Sequence, residues 1–144
     1  MSIKQLSIFV ENKPGRLCAI TKLLEENKID IRALSIADTR DFGILRLIVS
    51  DPEKAVESLK AADCTVSLTS VIAIGINDKP GGLAGAMQIL YENNISVEYM
   101  YAFISNKTED TAYVILRVNN NDRAIDALKE NGVVILTSDD IYNL

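Results

Sequence analysis

Apolar positions along the chain change their period several times, and they do so twice in the same order. Residues 4–10 alternate through Leu6, Ile8 and Val10, the period of two of a half-buried strand, whereas residues 71–76 are almost wholly apolar. Each run ends in a Pro-Gly turn and gives way to helical spacing. Leu17, Ile20 and Leu24 share one face of residues 16–27, and Leu83, Met87 and Leu90 share the matching face of residues 83–93. Two strands joined by a polar turn follow in each case, 29–37 with 43–50 and 95–105 with 111–118. Asp51 is placed to cap a second helix with Pro52 at its first position, and Ala55, Val56 and Leu59 face inward. Its counterpart opens on Asn120-Asn121-Asp122, runs through Ala124, Ile125 and Leu128, and stops at Asn131-Gly132. Closing strands are expected at 65–68 and 133–136. The tail, Asp139 to Leu144, is expected either to add a strand or to pack into a partner.

The two halves are a repeat. Asn12-Lys13-Pro14-Gly15-Arg16-Leu17 returns as Asp78-Lys79-Pro80-Gly81-Gly82-Leu83, an offset of 66 residues from Pro14 to Pro80. Leu24 and Leu90, Asn27 and Asn93, Ile29 and Ile95, and Ile31 and Val97 keep that offset. Later it becomes 69, aligning Ala55 with Ala124 and Leu59 with Leu128, so the three extra residues fall in the hairpin turn around 106–110. The organisation is therefore two modules, 1–69 and 70–144, each βαββαβ. Right-handed crossovers give an α+β fold of two tandem ferredoxin-like modules with antiparallel sheets and both helices on one face. Thr69-Ser70 is too short to be a flexible linker, which predicts rigid coupling with the sheets side by side.

Composition narrows the chemistry. With 144 residues, 48% of them hydrophobic and 24% charged, the chain has enough apolar material to close a core. A net charge of −5 without a basic run gives nucleic acid and anionic membranes no electrostatic hold. There is no histidine, so the common Ser or Cys triads and His-bearing metal sites are excluded. Cys18 and Cys64 belong to no C-x-x-C pair and are expected to be buried, reduced thiols. No signal-like segment opens the chain and no apolar run approaches ~18 residues, so a cytoplasmic location is expected, with no metal and no cofactor.

The Pro-Gly loops are where chemistry is expected. A helix N-terminus offers unpaired N–H groups and positive dipole potential to a carboxylate. Gly15, Gly81 and Gly82 permit close backbone approach, and Pro14 and Pro80 stiffen the turn. Asn12 and Asp78 can accept hydrogen bonds from an ammonium group. Together these describe a receptor for a free α-amino acid. The same residues are also ordinary turn chemistry with no ligand at all. Asp30 and Ser96 read equally as polar residues at strand edges, Tyr99, Met100 and Tyr101 as cross-strand packing, and Arg16 and Arg32 as solvated charges.

On these residues the chain resembles the ACT domain, a small regulatory module that senses amino acids. Asn12 through Leu17 with Asn27-Lys28-Ile29-Asp30-Ile31, and Asp78 through Leu83 with Asn93-Asn94-Ile95-Ser96-Val97, are similar to its signature, and the likeness covers the chain twice over. The resemblance implies assembly through adjacent sheets or helices and an amino-acid ligand at an interface between modules. It assigns ligand contact to Asn12 and Asp78 before the prolines, with Lys13 to Leu17 and Lys79 to Leu83 around them. It assigns the same role to Asp30 with Ile31, and to Ser96 with Val97, at the second strands. Asp30, Asp78 and Ser96 depart from the asparagine usual there, and Val10 and Ile76 stand where some members carry a ligand-contacting histidine, so the two sites are expected to be unequal.

Three functions compete. The first is a non-catalytic homodimeric sensor that binds a small amino acid and signals to an enzyme in trans. The second is an oligomerisation or interaction module that has lost its ligand. The third is a small acyl-phosphate hydrolase using Arg16 and an asparagine in an anion-holding loop.

Overall fold

A computed structural model of the chain describes residues 2–37, 40–104 and 109–144. The chain divides into two compact units, one centred on Lys4–Thr69 and the other on Ser70–Tyr142. In the first, β1 (Ile3–Glu11), α1 (Arg16–Glu26), β2 (Ile31–Ala37), β3 (Phe42–Val49) and α2 (Pro52–Ala61) lead into β4 (Thr65–Asn77). In the second, the later part of β4 is followed by α3 (Gly82–Glu92), β5 (Val97–Ile104), β6 (Thr111–Val118), α4 (Asn121–Glu130), β7 (Val134–Ile135) and α5 (Ser138–Tyr142). Strand order is β2-β3-β1-β4 in the first unit and β5-β6-β4-β7 in the second. Both are the split βαβ arrangement that the doubled pattern predicts, with antiparallel β1/β3, β2/β3, β4/β6 and β5/β6 pairs.

One face of each sheet carries the core. Leu6, Ile8, Leu45 and Leu47 meet Ile20 and Leu24 of α1 and Ala55 and Leu59 of α2 in the first unit. Ile72, Ile74, Val114 and Leu116 meet Ala86 and Leu90 of α3 and Ala124 and Leu128 of α4 in the second. Asp51 caps α2 by accepting from the Lys54 N–H at 3.1 Å, and Asn120 caps α4 from Arg123 at 3.1 Å.

The expected bounds shift for identifiable reasons. All four long helices end with a residue in the left-handed region, Lys28, Asp63, Asn94 or Gly132. The next N–H then turns back to a carbonyl five residues earlier: Ile29 to Leu24, Cys64 to Leu59, Ile95 to Leu90 and Val133 to Leu128. That closure uses the residues expected to open the following strands, so β2, β5 and β7 begin later than 29, 95 and 133. The strands expected at 65–68 and 71–76 are one strand of 13 residues. Leu17, expected on the core stripe of α1, is 43% exposed. The thiols also differ from expectation, Cys18 being exposed and Cys64 half-buried. The tail forms α5, opened by reciprocal bonds in which Thr137 N–H donates to Asp140 and Asp140 N–H donates to the Thr137 hydroxyl oxygen, with Ile141 buried. Of the expected turn at 106–110, residues 106–108 lie outside the described residues, as does Ser105, the expected end of β5. No helix among the described residues is long and apolar enough to cross a membrane.

Leu59→Ala, which empties a fully buried position, is expected to lower the unfolding free energy by about 2–5 kcal/mol. Lys28→Gly, which relieves a left-handed residue, is expected to raise it by about 0.5–1 kcal/mol. Urea unfolding monitored by circular dichroism checks both.

Candidate functional site

The first loop starts where β1 ends. Asn12 N–H donates to Asp41 O at 2.9 Å and the Asn12 side-chain amide donates to Arg40 O at 3.4 Å, so the loop is tied to the β2–β3 turn. Lys13 N–H then turns back onto Glu11 O at 2.9 Å. Gly15 reverses the chain at φ 90°, a conformation that costs a residue with a Cβ, and α1 begins without a capping side chain. Its first amides are therefore left to other acceptors.

The second loop repeats this geometry with Gly81 at φ 91°, Lys79 N–H to Asn77 O at 2.9 Å and Asp78 N–H to Asp110 O at 2.8 Å. It is the tighter of the two. Gly82 N–H reaches Lys79 O at 3.0 Å where Arg16 N–H reaches Lys13 O at 3.3 Å, and a Cβ on Gly82 would collide with the Asn77 carbonyl.

A cleft of about 120 Å³ lies beside the first loop, lined by Asn12, Lys13 and Leu17 together with Ile36, Ala37 and Gly43 at the adjacent end of the hairpin. The three hairpin residues were not read from the sequence as site residues. The signal was available, because a βαβ crossover makes β1 and β2 parallel and brings their C-terminal ends to one edge. Arg16 is absent from the lining of this cleft and lines a separate, larger groove instead.

Glu11 joins the charges of the loop, its carboxylate 3.1 Å from Lys13 Nζ and 3.6 Å from an Arg16 guanidinium nitrogen. The hydrogen bond from Lys13, then the charges of Lys13 and Arg16, hold the Glu11 carboxyl below its ordinary value. The second loop has Asn77 and Gly82 at the corresponding places, leaving Asp78 and Lys79 as its charges.

The remaining expected site residues stand at the far end of each sheet. Asp30 N–H donates to Ser50 Oγ at 2.9 Å and its carboxylate pairs with Arg32 at 3.4 Å. Ser96 N–H donates to Asn119 Oδ1 at 3.2 Å. Ile31 and Val97 pack at the margins of the two cores. Along β3, Phe42 pairs with Glu11 and Val49 with Ile31. That span is roughly 23 Å at ~3.3 Å per residue. Asn12 and Asp30 of one unit therefore do not face a common ligand. Pro14 and Gly15 in the first loop, and Pro80, Gly81, Gly82 and Leu83 in the second, shape the two turns. Among the described residues no group of three or more metal-ligating side chains occurs.

Comparison with known proteins decides the family. The family described as ACT domain pair matches residues 1–144. The chain belongs to it. Among solved structures, this ACT domain pair is similar to protein BT0572 from Bacteroides thetaiotaomicron, with 44% identity and a TM-score of 0.94 over 100% of this chain and 98% of that one. The regulatory subunit of aspartate kinase from Thermus thermophilus, in its ligand-free form, shares the fold at 15% identity, with a TM-score of 0.65 over 90% of this chain and 92% of that one. Aspartate kinase from Synechocystis does so at 20% identity and a TM-score of 0.60, over 95% of this chain and 28% of the other. No curated protein matches.

Two outcomes test the loops. Since the folded value of Glu11 is depressed, the ion pairs of the first loop persist above the ordinary carboxylate range and are lost as pH falls through the lowered value. An NMR titration of Glu11 is expected to show this midpoint, and Lys13→Met to move it upward. Gly82→Ala is expected to cost about 1–3 kcal/mol in urea unfolding, because backbone must give way, whereas Arg16→Ala at the equivalent position costs little.

Proposed function

We propose that this ACT domain pair is a non-catalytic regulatory protein that binds a small free amino acid beside the Asn12 loop and signals to a partner enzyme in trans. The observation that carries the reading is the cleft of about 120 Å³, whose size suits a small amino acid and whose wall combines Asn12, Lys13 and apolar Leu17 and Ile36. A ligand carboxylate takes the uncapped start of α1 and the Lys13 ammonium. The ligand ammonium takes Asn12 Oδ1, since the amide nitrogen is already committed to Arg40 O.

Asp30 joins the site in a homodimer. β2 is an edge strand with Leu34 and Ile36 exposed. Antiparallel pairing of two β2 edges across a two-fold axis sets the Asp30 end of one copy against the Ala37 end of the other, beside the Asn12 loop. The equivalent set in the second unit is the loop from Asp78 to Leu83, with Ser96 and Val97 supplied by another copy. A carboxylate at Asp78 in place of the amide at Asn12 makes the two sites unequal. The protein acts in the cytoplasm, and it regulates if the ligand favours one arrangement of copies over another.

The departures at Asp30, Asp78 and Ser96 favour one other reading, an interaction module that dimerises without a ligand. A thermal-shift scan against the twenty amino acids separates the two. A selective rise in melting temperature is expected, with ~2.7 kcal/mol of stabilisation at ~100 times the dissociation constant. It is expected to be lost in Asn12→Ala and weakened in Asp30→Ala. A flat panel with an intact dimer would leave the interaction module standing in its place.

A further inference from the structure

The two units are internal controls for one another, because their cores keep one register while their rims diverge. The divergence is concentrated around one feature, a groove of about 580 Å³ formed wholly by the first unit between α1, the end of β1 and the α2–β4 turn. Phe9 and Phe42 form its aromatic wall, stacked with ring centroids 4.9 Å apart and 52% and 41% exposed. Arg16 of α1 and Asp63 and Cys64 of the α2–β4 turn line it as well. In the second unit the corresponding residues are Gly75 for Phe9, Thr111 for Phe42 and Gly82 for Arg16, a correspondence fixed by the Glu11–Phe42 and Asn77–Thr111 pairs. A Cβ at Gly75 would there meet Val134, Thr111 and the Tyr113 ring at 3.6, 3.7 and 3.8 Å. At the places of Phe9, Phe42 and Arg16 the repeat thus carries neither ring nor cation, and its own aromatic pair, Phe103 and Tyr113, comes from β5 and β6 instead.

From this we infer that the groove is a second ligand site, taking a carboxylate with an aromatic or bulky apolar body. Two exposed, stacked phenyl rings on a sheet surface gain from covering by another flat apolar group, which buries area and offers ring–ring contact. Arg16 supplies the planar fork that suits a carboxylate. Its present partner, Glu11, stays paired with Lys13 at 3.1 Å when Arg16 turns to a ligand, so recruitment of Arg16 strands no charge. Asp63 lines the same groove and can take an ammonium where the ligand has one. Among the described residues, Val10 is the one that lines both this groove and the Asn12 cleft.

Cys64 lines the groove and reports on occupancy. In a Cys18→Ser background, the reaction of Cys64 with a disulfide thiol reagent is followed in phenylalanine, 3-phenylpropionate and phenylethylamine. Phenylalanine, phenylpropionate or both are expected to slow it about tenfold at ten times the dissociation constant, while phenylethylamine, lacking a carboxylate, leaves it unchanged. Protection by both acids assigns recognition to ring and carboxylate, and protection by phenylalanine alone adds Asp63 to the recognition of the ammonium. Arg16→Gly and Phe42→Thr, each installing the residue of the other unit, are expected to abolish protection while circular dichroism stays unchanged. Asn12→Ala is expected to retain it, which separates this site from the small-amino-acid cleft. Absence of protection by either acid, protection by phenylethylamine, or protection that survives both groove substitutions would overturn the inference.

Discussion

Both units depend on one requirement, that two helices bury a single face of a four-stranded sheet. α1 can cover β1 and β2 from one side only if those strands run parallel with β3 between them, and the same holds for α3 over β4 and β5. The C-terminal ends of β1 and β2 then meet at one edge, and the loop into α1 opens there. Fully buried Ile8, Leu24, Leu47 and Leu59 make this arrangement costly to disturb. The rim residues on which chemistry depends carry no such burden. Arg16 and Gly82, or Phe42 and Thr111, occupy equivalent places without altering the register beneath them.

Much of this was legible in the chain because it is written twice. The alternation of Leu6, Ile8 and Val10, the capping residues Asp51 and Asn120, and the doubled Pro-Gly turn each follow from local rules, and their agreement across an offset selected one topology. What was not legible depended on backbone conformation rather than residue type. Lys28, Asp63 and Asn94 adopt left-handed geometry that a sequence reading reserves for glycine, so three helices end in turns announced by no glycine, and strand starts were expected too early. Leu17 was assigned to the core by its spacing from Ile20 and Leu24. It lies instead in the first turn of α1, 43% exposed, where it lines the cleft beside the loop rather than the core.

The candidate site was legible in its loops and not in its partners. Asn12, Lys13 and the glycines announce a turn able to hold an anion, and the structure places them beside a cleft. Ile36, Ala37 and Gly43 complete its wall only because strand order brings the hairpin end alongside, a fact of topology rather than motif. Asp30 and Ser96 follow the opposite course. Their hydrogen bonds to Ser50 and Asn119 fasten the starts of β2 and β5 to the ends of β3 and β6, at the far end of each sheet from the loops. A role at the loops for either residue requires a partner from outside its own unit, and an exposed edge strand is a geometry that can recruit one.

The electrostatics of the loops set a further condition on any ligand there. Lys13 and Arg16 are more than half exposed and Glu11 is 40% exposed around their ion pairs, and charges held in water contribute orientation rather than affinity. Affinity has to come from apolar surface removed from water and from hydrogen bonds sheltered from it. On a single copy the cleft offers Leu17 and Ile36 on one side and solvent on the other. A lid of apolar surface would dry the site and strengthen each polar contact in it. The edge of β2, with Leu34 and Ile36 exposed, can supply that lid from a second copy. Ligand binding and association of copies would then stabilise one another through the same buried surface, which is the coupling the proposed regulatory role needs.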